Sequence, residues 1–120
     1  MNTDNLTEII IGCAMRVSNT LGAGFLEKVY ENALAIELRK AGLTVEQQRA
    51  IAVRYDGIIV GEYMADILVN NQVILELKAV KFLDEIHKAQ LLNYLRATGI
   101  KIGLLLNFGT PKLGVRRMGF

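Results

Sequence analysis

The stretch that decides the fold is residues 63–78, YMADILVNNQVILELK. It predicts two strands joined by a turn at residues 70–71, because apolar runs flank two asparagines that tolerate a left-handed backbone. Side chains alternate between the faces of a strand, so Glu76 and Lys78 share one face of the second strand. Asp66 stands in an equally apolar run of the first strand. Burying unpaired charges is costly, so these three side chains need one another or a cation.

The two acids share a face of the sheet in only one class of register. Opposed residues of an antiparallel pair have a constant index sum and point the same way. A two-residue loop would set Asp66 opposite Leu75, and the two carboxylates would then lie on opposite faces. A three-residue loop pairs Val69 with Val73 and sets Asp66 opposite Glu76. We therefore predict an odd-length loop, or an equivalent bulge, if the acids bind one ion.

Helices and further strands flank this pair of strands. The first helix has Asn5 and Glu8 as a capping pair, Asp84 is the N-cap of the last helix, and a glycine follows each helix. Asp56-Gly57 is a strong signal for a hairpin turn. The predicted helices span residues 6–21, 25–41 and 84–97, and the predicted strands span 50–55, 58–69, 72–80 and 100–108, with an edge strand in the basic tail 113–120. The order ααβββαβ predicts an α+β domain.

Length and composition predict a single domain over residues 1–120, located in the cytoplasm. Hydrophobic residues make up 52% of the chain and charged residues 22%, which excludes a disordered chain. The N-terminus is not that of a signal peptide, and no apolar run reaches the length of a membrane span, about 20 residues. Cys13, the single cysteine, excludes an intrachain disulfide and a multi-cysteine zinc site.

Two kinds of partner are compatible with these numbers. The formal net charge of +2 permits a nucleic-acid partner without requiring one. The apolar content is high for so small a chain, which has little interior in which to bury it. This composition favours self-association as a homodimer.

The acids and the lysine have two interpretations. In one, Lys78 forms a structural ion pair with Asp66 and Glu76. In the other, the carboxylates bind Mg²⁺ or Mn²⁺, which prefer carboxylate, carbonyl and water oxygens. Such an ion activates water and stabilises charge on a phosphoryl oxygen, and a lysine beside it orients the water or neutralises the transition state.

The motifs also resemble a known family. Asp66 followed by Glu76-Leu77-Lys78 on the next strand is similar to the D…(D/E)xK signature of the PD-(D/E)xK phosphodiesterase superfamily, with Ala65 in place of its usual proline. Residues 24–30, GFLEKVY, fit the GxxExxY motif that names a family of small bacterial and archaeal proteins within that superfamily. The resemblance implies a restriction-endonuclease-like core, in which helices flank a mixed sheet.

The resemblance extends through the second half of the chain. Gln90 and Tyr94 resemble the QxxxY helix of the GxxExxY family, and residues 107–108 and 116–117 resemble its C-terminal end. Four motifs in the right order are specific, whereas each alone is weak.

The resemblance implies a role for each matching residue. Asp66, Glu76 and the backbone carbonyl of Leu77 would bind the metal, and Glu27 would approach from the second helix as a further metal or water ligand. Lys78 would position the attacking water. The remaining residues would orient Lys78 or contact substrate phosphate at the edge of the site: Gln90, Tyr30, Tyr94, Arg116 and Arg117.

The implied activity is that of a magnesium- or manganese-dependent nuclease acting on DNA or RNA phosphodiesters. The alternatives are a catalytically silent nucleic-acid-binding or regulatory module that retains the charged site, and a plain interaction domain that works as a homodimer. Loss of cleavage in variants of the acids and the lysine separates the first from the other two.

Overall fold

A mixed sheet of five strands, in the order β1-β2-β3-β4-β5, forms the centre of the molecule in the computed structural model, which describes residues 1–119. Strands β3 and β4 are parallel, and the other neighbours are antiparallel. The elements are α1 (Thr3–Leu21), α2 (Glu27–Lys40), β1 (Val45–Tyr55), β2 (Ile58–Val69), β3 (Val73–Lys78), α3 (Glu85–Thr98), β4 (Ile102–Asn107) and β5 (Gly114–Gly119). This arrangement confirms the predicted α+β class and its ααβββαβ order, with β5 added at one edge.

The helices cover the two faces of the sheet unequally. Helices α1 and α2 pack on one face over a core that includes Leu75 and Leu104, and α3 packs on the other over a core that includes Ile74 and Leu105. Strand β3 is therefore buried on both sides, which explains why Ile74 and Leu75, which point to opposite faces, are both apolar. A charged side chain in this strand has no route to bulk solvent except near the strand's end.

Local signals account for most of the element boundaries. The Asp56-Gly57 turn has positive φ at both residues, 52° and 77°, as a two-residue hairpin requires. Asp84 caps α3 by accepting the Ile86 N–H, and Gly99 ends it in the left-handed conformation. These predictions are confirmed.

The predicted cap of α1 was wrong. The helix begins at Thr3, and Asn2 is its N-cap, with its side chain accepting the Asn5 N–H at 2.8 Å. The apolar stripe starts only at Leu6 because it reports the buried face of a helix, and the first turn of α1 is largely exposed.

Strand β1 also begins earlier than predicted, at Val45 rather than residue 50. Near its start, residues Glu46 to Arg49 are polar and lack the alternation of apolar residues that predicts a strand. They pair with β2 nonetheless. At the other end of the chain, β5 occupies the predicted edge, and residue 120 of the predicted tail strand lies outside the described residues.

The face alternation of β1 and β2 reverses at one pair of residues. Ile67 packs in the core beneath α1 and α2, whereas Ala65, two residues away, packs in the core beneath α3. Gln48 stands opposite Asp66 in the constant register of β1 and β2, and its φ of 53° interrupts β1 at the same level. Beyond this point the two strands continue as a hairpin arm, residues 49–65, and β2 pairs with β3 only from Ile67 to Val69.

Among residues 1–119, no helix is long and apolar enough to cross a membrane.

Candidate functional site

The site lies where β2 and β3 part. The turn between them has positive φ at Asn70 and Asn71 and pairs Val69 with Val73, so the predicted odd-length register is confirmed. Extending that register by constant index sum sets position 66 opposite position 76. The tight turn is closed by the Gln72 N–H, which donates to the Val69 carbonyl at 2.9 Å.

Two cross-strand hydrogen bonds replace the regular ladder at this position. The Asp66 N–H donates to Glu76 Oε2 at 2.8 Å, and the Leu77 N–H donates to Asp66 Oδ2 at 2.7 Å. Each carboxylate therefore accepts a backbone N–H of the other strand. Glu76 is 4% exposed and Asp66 is partly buried. The two acids are brought together as the register required.

The electrostatic environment of the pair favours a positive charge. Burial, the neighbouring Asp66 carboxylate and, to a smaller extent, Glu27 together raise the pKa of Glu76 to about 8. Burial, followed by the charge of Glu31, raises the pKa of Asp66, against the lowering effect of the Leu77 N–H. Two buried carboxylates this close disfavour joint ionisation. A proton or a cation between them relieves the repulsion.

Lys78 acts on this pair at a distance. It is partly buried at the end of β3, and its charge lowers the pKa of both Asp66 and Glu76. Within residues 1–119, no nitrogen–oxygen distance of 4.0 Å or less joins Lys78 to either acid. The structural ion pair considered from the sequence does not form among the described residues, although the charge of Lys78 still acts on both carboxylates.

Glu27 reaches the same site from the first turn of α2. Its Oε2 accepts the Ala79 N–H at 3.2 Å, which ties it to the backbone directly after Lys78. The side chain is exposed, and its charge is close enough to raise the pKa of Glu76. The structure thus places Glu27 at the end of β3, close to the carboxylate pair.

Glu31 and Gln48 belong to this environment, and the sequence did not single them out. Glu31 is 3% exposed and accepts hydrogen bonds from the amides of Gln47 and Gln48, at 2.7 and 2.8 Å, and from Lys28 at 3.0 Å. Two signals point to them. Glu31 lies four residues after Glu27, on the same helical face, and Gln48 has the index that opposes Asp66.

Gln90 and Tyr94 form the wall of the site that α3 contributes. The Gln90 amide donates to the Tyr94 hydroxyl at 3.0 Å, and Tyr94 is 5% exposed. Burial raises the pKa of Tyr94, and the charges of Glu76 and Asp66 raise it further. This face of α3 is therefore turned toward the charged residues of the sheet.

Asn107 holds the backbone that follows Lys78. Its Oδ1 accepts the N–H groups of Val80 and Gly109, both at 3.0 Å, and its Nδ2 donates to the Val80 carbonyl at 2.9 Å. The Phe108 N–H donates to the Lys78 carbonyl at 2.8 Å. The end of β3, and with it the lysine, is anchored to β4 by these bonds.

Three residues expected at the substrate take other roles. Tyr30 is completely buried, donates its hydroxyl to the Gly22 carbonyl at 2.6 Å and stacks on Phe108 at 4.8 Å, so it holds the turn between α1 and α2 instead of meeting solvent. Arg117 forms an ion pair with Asp4 on α1 at 2.8 Å. Arg116 is exposed and donates to the Val115 carbonyl.

Arg116 and Arg117 were expected near the substrate phosphate. They do not lie beside the carboxylates because of the position of β5 in the sheet. Adjacent residues of β5 point to opposite faces, and β5 is two strands from β3, about 10 Å across the sheet. Arg117 faces α1 because its partner in the ladder, Leu104, belongs to the core beneath α1 and α2.

The donor set fits a hard divalent cation. The carboxylates of Asp66 and Glu76 and the carbonyl of Leu77 are all oxygen donors of the kind that Mg²⁺ prefers. Within residues 1–119, no three histidine, cysteine, aspartate or glutamate side chains are gathered as a cage for a metal. Mg²⁺ commonly binds through one or two carboxylates and completes its shell with water and substrate phosphate, so a pair of acids suffices.

Comparison with models of protein families identifies the family of this chain. A family model described as the PD-(D/E)XK nuclease superfamily matches residues 4–118, which is nearly the whole chain. Searches of the curated proteins and of the solved structures gave no match.

Proposed function

We propose that this chain, which belongs to the PD-(D/E)XK nuclease superfamily, is a magnesium- or manganese-dependent phosphodiesterase that hydrolyses nucleic acid. The observation that carries the proposal is the carboxylate pair: Asp66 and Glu76 each accept a backbone N–H of the other strand, and the pKa of Glu76 is raised to about 8. A fold that retains two repelling acids beside Lys78 is suited to a divalent ion. Residues 24–30 further support membership of the GxxExxY family.

The proposed ligands are the side chains of Asp66 and Glu76 and the carbonyl of Leu77, with Glu27 as a further ligand, directly or through water. The bound ion would lower the pKa of a water molecule and stabilise negative charge on the phosphoryl oxygen. The residues of the chain would orient the reactants around it.

The other residues of the site have roles suited to their positions. Lys78 would hold the attacking water by its ammonium group and offset charge that develops on the phosphate. The water would lose a proton to solvent as its oxygen forms a new bond to phosphorus, the ester bond would break, and the leaving oxygen would take up a proton from solvent. Gln90, held by Tyr94, would donate to the phosphate or to the water. Asn107 would keep the backbone of Lys78 fixed while this occurs.

Metal binding and cleavage test the proposal together. Calorimetry with Mg²⁺ and with Mn²⁺ should show binding to the wild type that is lost in Asp66→Ala, and cleavage of mixed DNA and RNA should be lost in Asp66→Ala and Lys78→Ala while both variants fold. Glu62→Gln is a matched control, since it removes an exposed acid from the hairpin arm, outside the site. Equal cleavage by wild type and Lys78→Ala would contradict the proposal.

One observation favours the alternative of a catalytically silent nucleic-acid-binding or regulatory module. Both carboxylates already accept backbone N–H groups, so the pair also serves as a clip between β2 and β3. A silent module would bind nucleic acid without cleaving it in the presence of Mg²⁺ or Mn²⁺, and Asp66→Ala would lower its stability rather than any turnover.

The proposal extends to location and assembly. A cytoplasmic location follows the expectation from the sequence. The exposed apolar residues at the end of the hairpin arm support a homodimer formed through that arm: Tyr55, Ile58, Ile59 and Val60.

A further inference from the structure

A cavity opens between the hairpin arm and α3, next to the carboxylate site. Its volume is about 870 Å³, and its walls come from the inner face of the arm on one side and from α3 on the other. Gln90 and Tyr94 line it, and both also face the charged residues of the sheet. A ligand in this cavity would therefore contact Tyr94, the same tyrosine that the charges of Glu76 and Asp66 act on.

The cavity offers flat aromatic surface. Tyr63 on the arm and Tyr94 on α3 stand with ring centroids 5.8 Å apart and ring planes inclined by 45°. Tyr94 is 5% exposed and is locked by Gln90, whereas Tyr63 is 50% exposed. One ring is thus fixed and the other presents a face on which a planar group can stack.

The polar groups around the rings have the donors and charges that nucleotides bind. Arg54 on the arm and Arg96 on α3 supply positive charge from opposite walls, and Asn93 adds an amide. Among the described residues that line the cavity, none is acidic. Arginine and amide side chains recognise phosphates and base edges, and aromatic rings stack on bases of any sequence.

The size of the cavity distinguishes between forms of nucleic acid. A volume of about 870 Å³ is that of a small-molecule site and holds only a few nucleotides. A duplex, whose major groove alone is about 12 Å wide, does not enter such a space with its bases accessible to the rings. The bases that reach Tyr63 must be unpaired.

We propose that the cavity between the hairpin arm and α3 binds an unpaired segment of the nucleic-acid substrate, with a base stacked on Tyr63 and backbone phosphates on Arg54 and Arg96. The inference rests on the proposed function, and it names the substrate class as nucleic acid with a single-stranded stretch beside the cleaved bond. The carboxylate pair then cuts at or next to a single strand rather than within a continuous duplex.

Binding measured without cleavage tests the cavity separately from the catalytic site. Fluorescence anisotropy in EDTA would use labelled single-stranded dT12, single-stranded U12 and a 12-base-pair duplex, each with the full chain. Both single strands should bind more tightly than the duplex. Tyr63→Ala should weaken single-strand binding about tenfold, the order expected for one stacked base. Arg54→Ala should weaken it and lower its salt dependence by about one phosphate contact.

Met15→Ala is the matched control, because Met15 on α1 is 49% exposed, nearly as much as Tyr63, and lies outside the cavity. It should bind single strands as the wild type does. Duplex binding equal to or tighter than single-strand binding, or equal binding by wild type and Tyr63→Ala, would overturn the proposal.

A cleavage assay with Mg²⁺ distinguishes failure of the cavity's role from failure of the nuclease function. Cleavage of duplex with no preference for single-stranded stretches would leave the nuclease function standing and reject the cavity's role. Tyr63-dependent binding of single strands without any cleavage would support the cavity and reject the nuclease function.

Discussion

The stability of the fold should depend on pH through Glu76. Its pKa is raised from the ordinary 4.5 to about 8 by burial and by Asp66. Between these values the folded chain keeps a proton that the unfolded chain has lost. The folded state then binds one more proton, so the free energy of unfolding falls as pH rises, by about 1.4 kcal/mol per pH unit. From pH 5 to pH 7 this loss amounts to about 3 kcal/mol.

The variant Glu76→Gln removes this titration and retains the contact. Its amide oxygen can accept the Asp66 N–H in place of Glu76 Oε2. We expect the free energy of unfolding of the variant to be nearly independent of pH in the window where that of the wild type falls, and to exceed it by about 3 kcal/mol at pH 7. Urea unfolding followed by circular dichroism, in EDTA from pH 5 to pH 8, measures the difference. Glu62→Gln should keep the wild-type slope.

Mg²⁺ should reverse the penalty in the wild type alone. A ligand that binds only the folded state stabilises it by mass action, by about 2.7 kcal/mol at one hundred times its dissociation constant. At pH 8 we expect this gain in the wild type and its loss in Glu76→Gln. Parallel pH profiles for wild type and variant would refute the reasoning, because they would mean that Glu76 is not held next to an ionised Asp66 in a buried site.

Two further changes probe the surroundings of the site. In Gly109→Ala, the new Cβ would overlap the Val80 backbone, so the segment held by Asn107 must shift. We expect the free energy of unfolding, measured in urea, to fall by about 3 kcal/mol. Gly12→Ala, in the middle of α1, is the control: its Cβ meets nothing within 4 Å, so it should not destabilise the fold. Ile58→Glu should dissociate the proposed homodimer, as measured by sedimentation equilibrium. Ile36→Glu, at a similarly exposed apolar position on α2, should not. An unchanged mass for Ile58→Glu, or a monomeric wild type, would exclude the arm as the interface.

Much of the fold and part of the site could be predicted from local sequence. The order of the elements follows from periodicity and turn residues, and the register of β2 and β3 follows from parity once Asp66 and Glu76 are required to share a face. Such features depend on neighbours in the chain or on one hairpin, where spacing determines geometry. The place of Glu27 near the carboxylate pair was indicated only by the resemblance of residues 24–30 to a family motif, and spacing in the chain could not have indicated it.

The tertiary structure alone decided the features that depend on distant contacts. Tyr30 is buried because its hydroxyl donates to the Gly22 carbonyl and its ring stacks on Phe108. Arg117 forms an ion pair with Asp4, more than a hundred residues earlier in the chain. Contacts between residues so far apart in the chain cannot be predicted from local sequence patterns. The reversal of faces at Gln48 directs the hairpin arm toward α3 and so forms the cavity. It could not be predicted, because the residues around Gln48 are polar and lack the apolar alternation from which the face of a strand residue is inferred.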